Sequence, residues 1–409
     1  MFNSYLFNLA KRKGVNDESE GGIKKKIILF LFVFLLTGQA SVFAQDEGED
    51  VQDYILSEIS LEGVEQYWNE LQQEYGDYLP ELDKITVYEF IKNEGSLSLK
   101  NIFLGFIHYL FHELILNGKL LGSLLMLTLF SMLLQTIHTA FESSSVSKIA
   151  YFVIYAVLIL IALNSFYVSV SYTEDAIRMM TSFMIGLIPL ILGLMATFGN
   201  IVSISFFHPM IIFLINVSGV LISKIILPLL FLSALLMIVS SLSEKYKVTQ
   251  LATLFKNVSM GILGVFLTIF LGVISVQGSA SAIQDGVAMK TAKFITGNFI
   301  PVVGRTFTDA TDTILSASLL LKNTIGIVGL CIVLFIALFP AIKILAVALI
   351  YKITAALLQP VGDGPVISAL NTISNYILLI LASLLTITLM FFLAIVIIIV
   401  ASNLTLLVR

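Results

Sequence analysis

His108 and His112 stand four residues apart, a spacing that puts both imidazoles on one side of a helix, as a two-histidine metal site requires. Glu113 follows directly and points off that side, and His138 and His208 lie in other segments, so no third ligand is in reach. The pair therefore reads as part of a solvated polar face, and no metal is expected. Val361-Gly-Asp-Gly364 is faintly similar to the Gly-x-Gly-Asp motif of intramembrane aspartyl proteases, but Pro360 replaces the first glycine and no apolar run supplies a second aspartate. Serines are plentiful, yet no histidine follows His208 to activate one, and the G-x-S-x-G elbow is absent. No G-x-x-x-x-G-K-[ST] loop is present to cradle a nucleotide, so energy for any transport must come from another subunit. Cys331 is the sole cysteine; it sits in an apolar run, permits no intrachain disulfide, and reads as a small packing residue. We expect no catalytic residue, no cofactor and no metal.

The elements that would have to position such residues are of one kind. The 409-residue chain is 58% hydrophobic and 12% charged, against about 45–50% apolar and about 25% charged in soluble domains. The excess is gathered into runs of the length that crosses about 30 Å of hydrocarbon at about 1.5 Å per residue. The expected fold is all-α: a polytopic helical membrane protein. Net charge is −4, with the acidic residues concentrated ahead of residue 95, so nothing suggests nucleic acid as a partner. The lipid bilayer is the first partner.

Lys24, Lys25 and Lys26, the apolar stretch Ile27 to Leu36 and the ending Val42-Phe43-Ala44 have the order of a cleavable signal peptide. Residues 1–44 are assigned to it, with a long leader over 1–23 that is given no function. Residues 45–97 form a small non-cytoplasmic helical region: Ile55, Ile59, Leu61, Val64, Trp68 and Leu71 recur at three and four, with breaks near Gly76 and Pro80. So short a region must lean on the membrane or a partner. Residues 98–119 read as an interfacial amphipathic helix, with Ile102, Phe103, Phe106, Ile107, Leu110, Phe111 and Leu114 on one face and Lys100, Asn101, His108, His112 and Glu113 on the other.

Hydropathy then places six spans in residues 120–276, at 120–137, 149–170, 182–198, 209–223, 225–242 and 258–276, and C-terminal spans in 324–409, at 325–342 and 373–401. The runs on either side of Lys224 are separated by that residue alone, as a tight turn or a re-entrant hairpin would be. About seven crossings are expected, eight at most. The lysines at 245, 247 and 256 favour a cytoplasmic 243–257 loop; Lys343 and Lys352 fall on that same side, and Ser171 to Thr181, with Glu174, Asp175 and Arg178, falls on the other. The intervening 277–323 is an amphipathic segment of two arms hinged at Gly297 to Gly304, with Val287, Phe294, Ile295, Phe307, Ile314 and Leu315 on its apolar faces.

Several blocks carry a family resemblance: Val64-Glu-Gln-Tyr-Trp68, Lys293-Phe-Ile-Thr-Gly-Asn-Phe-Ile-Pro-Val-Val-Gly304, Leu319-Leu-Leu-Lys-Asn323, Leu338-Phe-Pro-Ala-Ile-Lys343 and Gln359-Pro-Val-Gly-Asp363. On these the chain resembles the stage III sporulation protein AE family of endospore-forming bacteria. The resemblance implies a polytopic protein of the mother-cell membrane that surrounds the forespore. It further implies a part in the multi-protein channel that sustains late forespore gene expression, with other subunits of that complex, a separate cytoplasmic ATPase and further copies of itself as partners. The alternative is a self-sufficient secondary transporter, which would carry ionisable residues inside its spans; Lys224 and Lys343 sit at span ends and read as interfacial anchors.

Overall fold

A computed structural model of the chain describes residues 61–92, 98–140, 145–197, 201–242, 247–299, 303–362 and 365–408. The signal segment, the first part of the 45–97 region and the centre of the Gly297 to Gly304 hinge lie outside the described residues, as do the apolar side chains expected on its two arms.

The described chain is helical throughout. Three short helices, α1 (Glu62–Tyr75), α2 (Pro80–Asp83) and α3 (Val87–Lys92), precede α4 (Leu99–Leu116) and α5 (Gly118–Ala140). Long rods follow: α6 (Ser145–Thr197), then α7 (Ile201–Leu221), a π-helical turn (Ile222–Ile226) and α8 (Leu227–Leu242) in one line, then α9 (Thr249–Phe299), α10 (Val303–Leu358) and α11 (Pro365–Val408). Among the described residues five helices are long and apolar enough to cross a membrane, and a sixth candidate results if α4 and α5, bent by 51° at Asn117, act as one span.

Among the described residues the seven or eight apolar runs expected from hydropathy thus gather into five or six candidate spans, because two expected breaks do not form. Residues 171–181 are the middle of α6. They contain neither Gly nor Pro, and Glu, Ala, Arg and Met are good helix formers. Ser171 Oγ donates to Asp175 (3.4 Å), and Asp175 pairs with Arg178 (3.6 Å), so the charges support the helix that they were expected to interrupt. At Lys224 the chain runs on through the π turn. Pro228 cannot donate to the carbonyl four residues back and its ring would strike it. The one-residue widening at 222–226 absorbs that conflict while Leu227 N–H still bonds Ile222 O, so no turn is needed. Helix continues through 276 in α9 and through 324 in α10, so the expected amphipathic segment joins its neighbouring apolar stretches, Thr249–Gly278 and Leu319–Val361, without a loop at either bound.

The rods pack against one another through few polar ties. Ser165 Oγ and Tyr351 OH, 2.8 Å apart, join α6 to α10; Ser374 Oγ donates to Ala348 O (2.9 Å), joining α11 to α10. Ser233 lies 2.8 Å from Tyr376 OH and also donates to Ala252 O, so one hydroxyl links α8, α9 and α11. α10 is the most enclosed rod, with 61% of its apolar window buried, whereas α9 has 22%; α10 is the axis and α9 the periphery.

Between these ties packing dominates. Tyr351 is fully buried, and Ser165 also donates to Ile161 O, so it keeps a partner without the phenol. Tyr351→Phe should cost about 0.6 kcal/mol, the mean for hydrogen bonds between membrane helices, and Tyr351→Ala about 3–5 kcal/mol for the cavity. Thermal unfolding in detergent measures both; equal losses would show that the hydroxyl, not the ring, holds α6 to α10.

Candidate functional site

Aromatic and charged side chains cluster where the short N-terminal helices meet the rods. Their own fold is local. Thr86 and Glu89 form a capping box that starts α3, with Thr86 N–H donating to Glu89 Oε2 (3.0 Å) and Glu89 N–H to Thr86 Oγ1 (3.2 Å). Val64, Trp68, Leu71 and Tyr75 are the buried stripe of α1. Trp68 Nε1 donates to Ile85 O (3.0 Å), and Gln72 Nε2 to Leu82 O (2.5 Å) and Ile85 O (3.0 Å), which fastens α1 to the α2–α3 connection.

This unit docks through rings. Tyr75 stacks on Phe339 of α10, with centroids 3.6 Å apart and planes 2° from parallel. Tyr109 of α4 meets both edge-on, at 5.8 Å from Tyr75 and 5.1 Å from Phe339, and Phe106 closes on Phe339 at 5.5 Å. Tyr67 meets Phe183 of α6 at 5.2 Å. Gly105 lets α4 approach so closely that a β-carbon there would collide with the backbone carbonyl of Tyr78. Beside the rings, Lys343 Nζ lies 3.5 Å from Glu74 Oε1, 5.9 Å from the Tyr75 centroid and 5.4 Å from that of Tyr172. The side chain of Lys343 is 21% exposed and that of Glu74 56%.

That pair corrects the expected orientation. Lys343 and the N-terminal helices cannot lie on opposite sides of a membrane, because they touch. Tyr172 shares the contact, so the middle of α6 is at the same height. The amphipathic reading of 98–119 changes too. Glu113, assigned to the solvated face, is buried and its Oε2 lies 3.4 Å from Asn117 Nδ2, while Phe103, Phe111 and Ile115 face outward. The helix is gripped on the side of Gly105 and Tyr109 and turns an apolar side to its surroundings.

His108 and His112 do share a side. Their rings sit 5.7 and 5.5 Å from that of Tyr78, so the common face is a packing surface for one phenol. Among the described residues no group of three or more His, Cys, Asp or Glu side chains converges as a metal site would need. Cys331 is partly buried on α10. One residue carries more than its sequence position suggested. Lys322, assigned to the amphipathic segment, is fully enclosed between α10 and α11, its Nζ 3.4 Å from Ile399 O. The signal was its place in Leu319-Leu-Leu-Lys-Asn323, one turn into the apolar run that begins at Leu319.

Rings outweigh the ion pair here. A half-exposed pair is worth about 0–1 kcal/mol, whereas removing a buried aromatic side chain costs about 3–5 kcal/mol. Phe339→Ala should therefore release the N-terminal helices to protease at a concentration that leaves Lys343→Met intact, and the reverse order would make the salt bridge the principal tie. Alkali should act on the same contact. Burial, then the hydrogen bond to Glu74 and its charge, raises the Tyr75 phenol above its ordinary value; burial and the Glu70 charge raise Tyr67, with a Ser182 hydrogen bond opposing. Undocked phenols ionise near about pH 10 while docked ones stay protonated, so this stabilisation is whole below that pH and declines as pH rises past it. Protease resistance of residues 61–92 should be level from neutral pH to about 10 and fall above it, and Tyr75→Phe should blunt the fall.

The profile of the family "Stage III sporulation protein AE" matches residues 82–402. A relative of that name from Bacillus subtilis (strain 168) is 51% identical over 393 residues, covering 93% of this chain and 98% of its own length. No solved structure matches. An all-helical chain with five rods long enough to cross a membrane and matched over most of its length belongs to the stage III sporulation protein AE family.

Proposed function

We propose that this protein is a membrane subunit of the channel or secretion complex that joins mother cell to forespore and sustains late forespore gene expression. Its place in sporulation follows from the family; the channel role is our reading. The observation that carries it is the length of the rods. α10 has 56 residues and α6 has 53, about 80 Å each at about 1.5 Å per residue, against about 30 Å of hydrocarbon. Rods of that length project beyond the bilayer, and the docked N-terminal helices give the projecting part a folded surface that other subunits can meet. The reading includes a mother-cell membrane location, a separate cytoplasmic ATPase as the energy source, and self-association.

A secondary transporter is kept as a second reading on one observation, the enclosed Lys322, since ionisable groups buried at membrane depth are the usual carriers of ion coupling. Uptake of solute into vesicles by the purified chain alone, driven by an ion gradient and abolished in Lys322→Met, would favour it. For the channel reading, deletion of the gene should leave engulfment and mother-cell reporters intact and extinguish a late forespore reporter, with restoration by the wild-type gene. A late forespore reporter that stays at wild-type level in the deletion strain would rule the channel role out.

A further inference from the structure

The connection between α1 and α2 and the first turns of α4 enclose a cleft of about 340 Å³, backed by Phe335 of α10. Its volume is in the range of small-ligand sites, about 300–1,000 Å³. The two walls are fastened twice. Gly105 has no β-carbon to hold off the Tyr78 carbonyl, and Glu81 of α2 accepts from Ser98 N–H (3.0 Å) and from Asn101 Nδ2. The lining divides by chemistry. Leu79, Leu104 and Phe335 make its apolar part; Asp77, Glu81, Asn101 and His108 make its polar part, and no lysine or arginine stands among the described lining residues.

The cleft lies where α4 enters its apolar surroundings. α4 begins just after Ser98, and the short helices packed beside it carry exposed Glu62, Glu65, Glu74 and Asp77 on their outer side. α4 and α5 together have the hydropathy of a bent span, and the first turns of a helix entering a bilayer, or lying on it, are at the level of the lipid headgroups. Leu104, His108, Phe111 and Ile115 follow at steps of four, three and four, so they share one stripe. Leu104 is 51% exposed, Phe111 58% and Ile115 77%. The stripe leads from the cleft along the outside of α4 for about 16 Å at about 1.5 Å per residue, a path that an acyl chain can follow.

Charge selects the occupant. Two carboxylates at the edge of a hydrocarbon layer repel a headgroup that brings only negative charge, and they attract an ammonium more strongly than in bulk water because the local dielectric is lower. An acyl chain alone would leave Asp77 and Glu81 without a counter-charge, and a small water-soluble amine would leave Leu104 and Phe335 uncovered. We infer that the cleft holds the headgroup of an amine-bearing phospholipid, phosphatidylethanolamine being the simplest, with its ammonium at Asp77 and Glu81 and its acyl chains along Leu104, Phe111 and Ile115. The imidazole of His108 is there to meet the phosphate, and exposed Lys100, next to Asn101 in the chain, supplies it with a counter-charge. A lipid so held fills the joint between the N-terminal helices and α10, and makes their docking sensitive to the composition of the membrane.

Native mass spectrometry of the full-length chain, released from detergent after exposure to equal amounts of phosphatidylethanolamine and phosphatidylglycerol, counts the lipids retained. One phosphatidylethanolamine per chain should survive, preferred over phosphatidylglycerol by about threefold to tenfold, as one or two partly exposed ion pairs allow. Asp77→Lys should abolish the preference. Leu104→Trp, which fills the cleft with its own side chain, should lower retention of both lipids, while Leu389→Trp, at an exposed position of α11, should change neither. The wild-type chain gives a second measurement that needs no variant to fold: phosphatidylethanolamine with a diazirine in its acyl chain should crosslink to α4 between Leu104 and Ile115. Equal retention of the two lipids by the wild type would overturn the site, and is the result expected if the cleft instead serves a lysine of a partner protein. A preference that survives both Asp77→Lys and Leu104→Trp would overturn it as well, as would crosslinks that all fall on other helices.

Discussion

Exclusion of water from the backbone governs this architecture. A peptide group in hydrocarbon has no solvent partner, so each rod must satisfy its own N–H and C=O groups along its whole length. Many side-chain hydroxyls obey the same rule, although Thr128, Ser131 and Thr181 are buried without a partner. Ser165, Ser169, Thr173, Ser218, Ser259, Thr354, Ser383 and Thr388 all donate to the carbonyl four residues earlier. Pro189, Pro209 and Pro340 are carried inside helices, and Pro228 is accommodated by a π turn in place of a break. Continuity is cheaper than interruption wherever an interruption would strand polar groups.

Since the rods are self-sufficient, what joins them is packing with a few shared hydroxyls. Tyr351 and Tyr376 are useful there because a phenol spans the distance between helices and brings its own donor. The short N-terminal helices follow a different rule. They are too small to bury a core alone, and they complete it on Phe339 and Phe183, which belong to the rods. Their stripe of Val64, Trp68, Leu71 and Tyr75 is thus shared between a local fold and a dock, and Tyr75 belongs to both. Lys343 and Glu74 sit at the rim of this contact, where solvent reaches the carboxylate; they orient the dock more than they hold it.

Polar residues on the rods fall into three physical classes. Among the described residues most hydroxyls facing inward bond a backbone carbonyl, with Thr128, Ser131 and Thr181 the exceptions. Lys322 faces inward and finds a carbonyl of the neighbouring rod. Asn164, Asp175 and Arg178 face outward on α6, where Asp175 and Arg178 pair with each other.

Composition and periodicity were enough to establish an all-helical membrane chain, the α1 stripe with its break near Gly76, and the apolar rods themselves, because each depends on residues close in sequence. The family likeness was legible in short blocks, and Leu338-Phe-Pro-Ala-Ile-Lys343 proved to contain both Phe339 and Lys343 of the dock. Hydropathy misplaced the breaks at 171–181 and at Lys224, since it scores transfer to lipid and not helix propensity, and a charged stretch can continue a helix when its charges pair along one face. The partners of Lys343, the enclosure of Lys322 and the inward turn of Glu113 were not legible, because they depend on residues up to 269 positions away. Only the tertiary structure could say that Met180 and Thr388 share a height, for height is set by which rods lie side by side, and that is decided by packing between segments that the sequence keeps far apart.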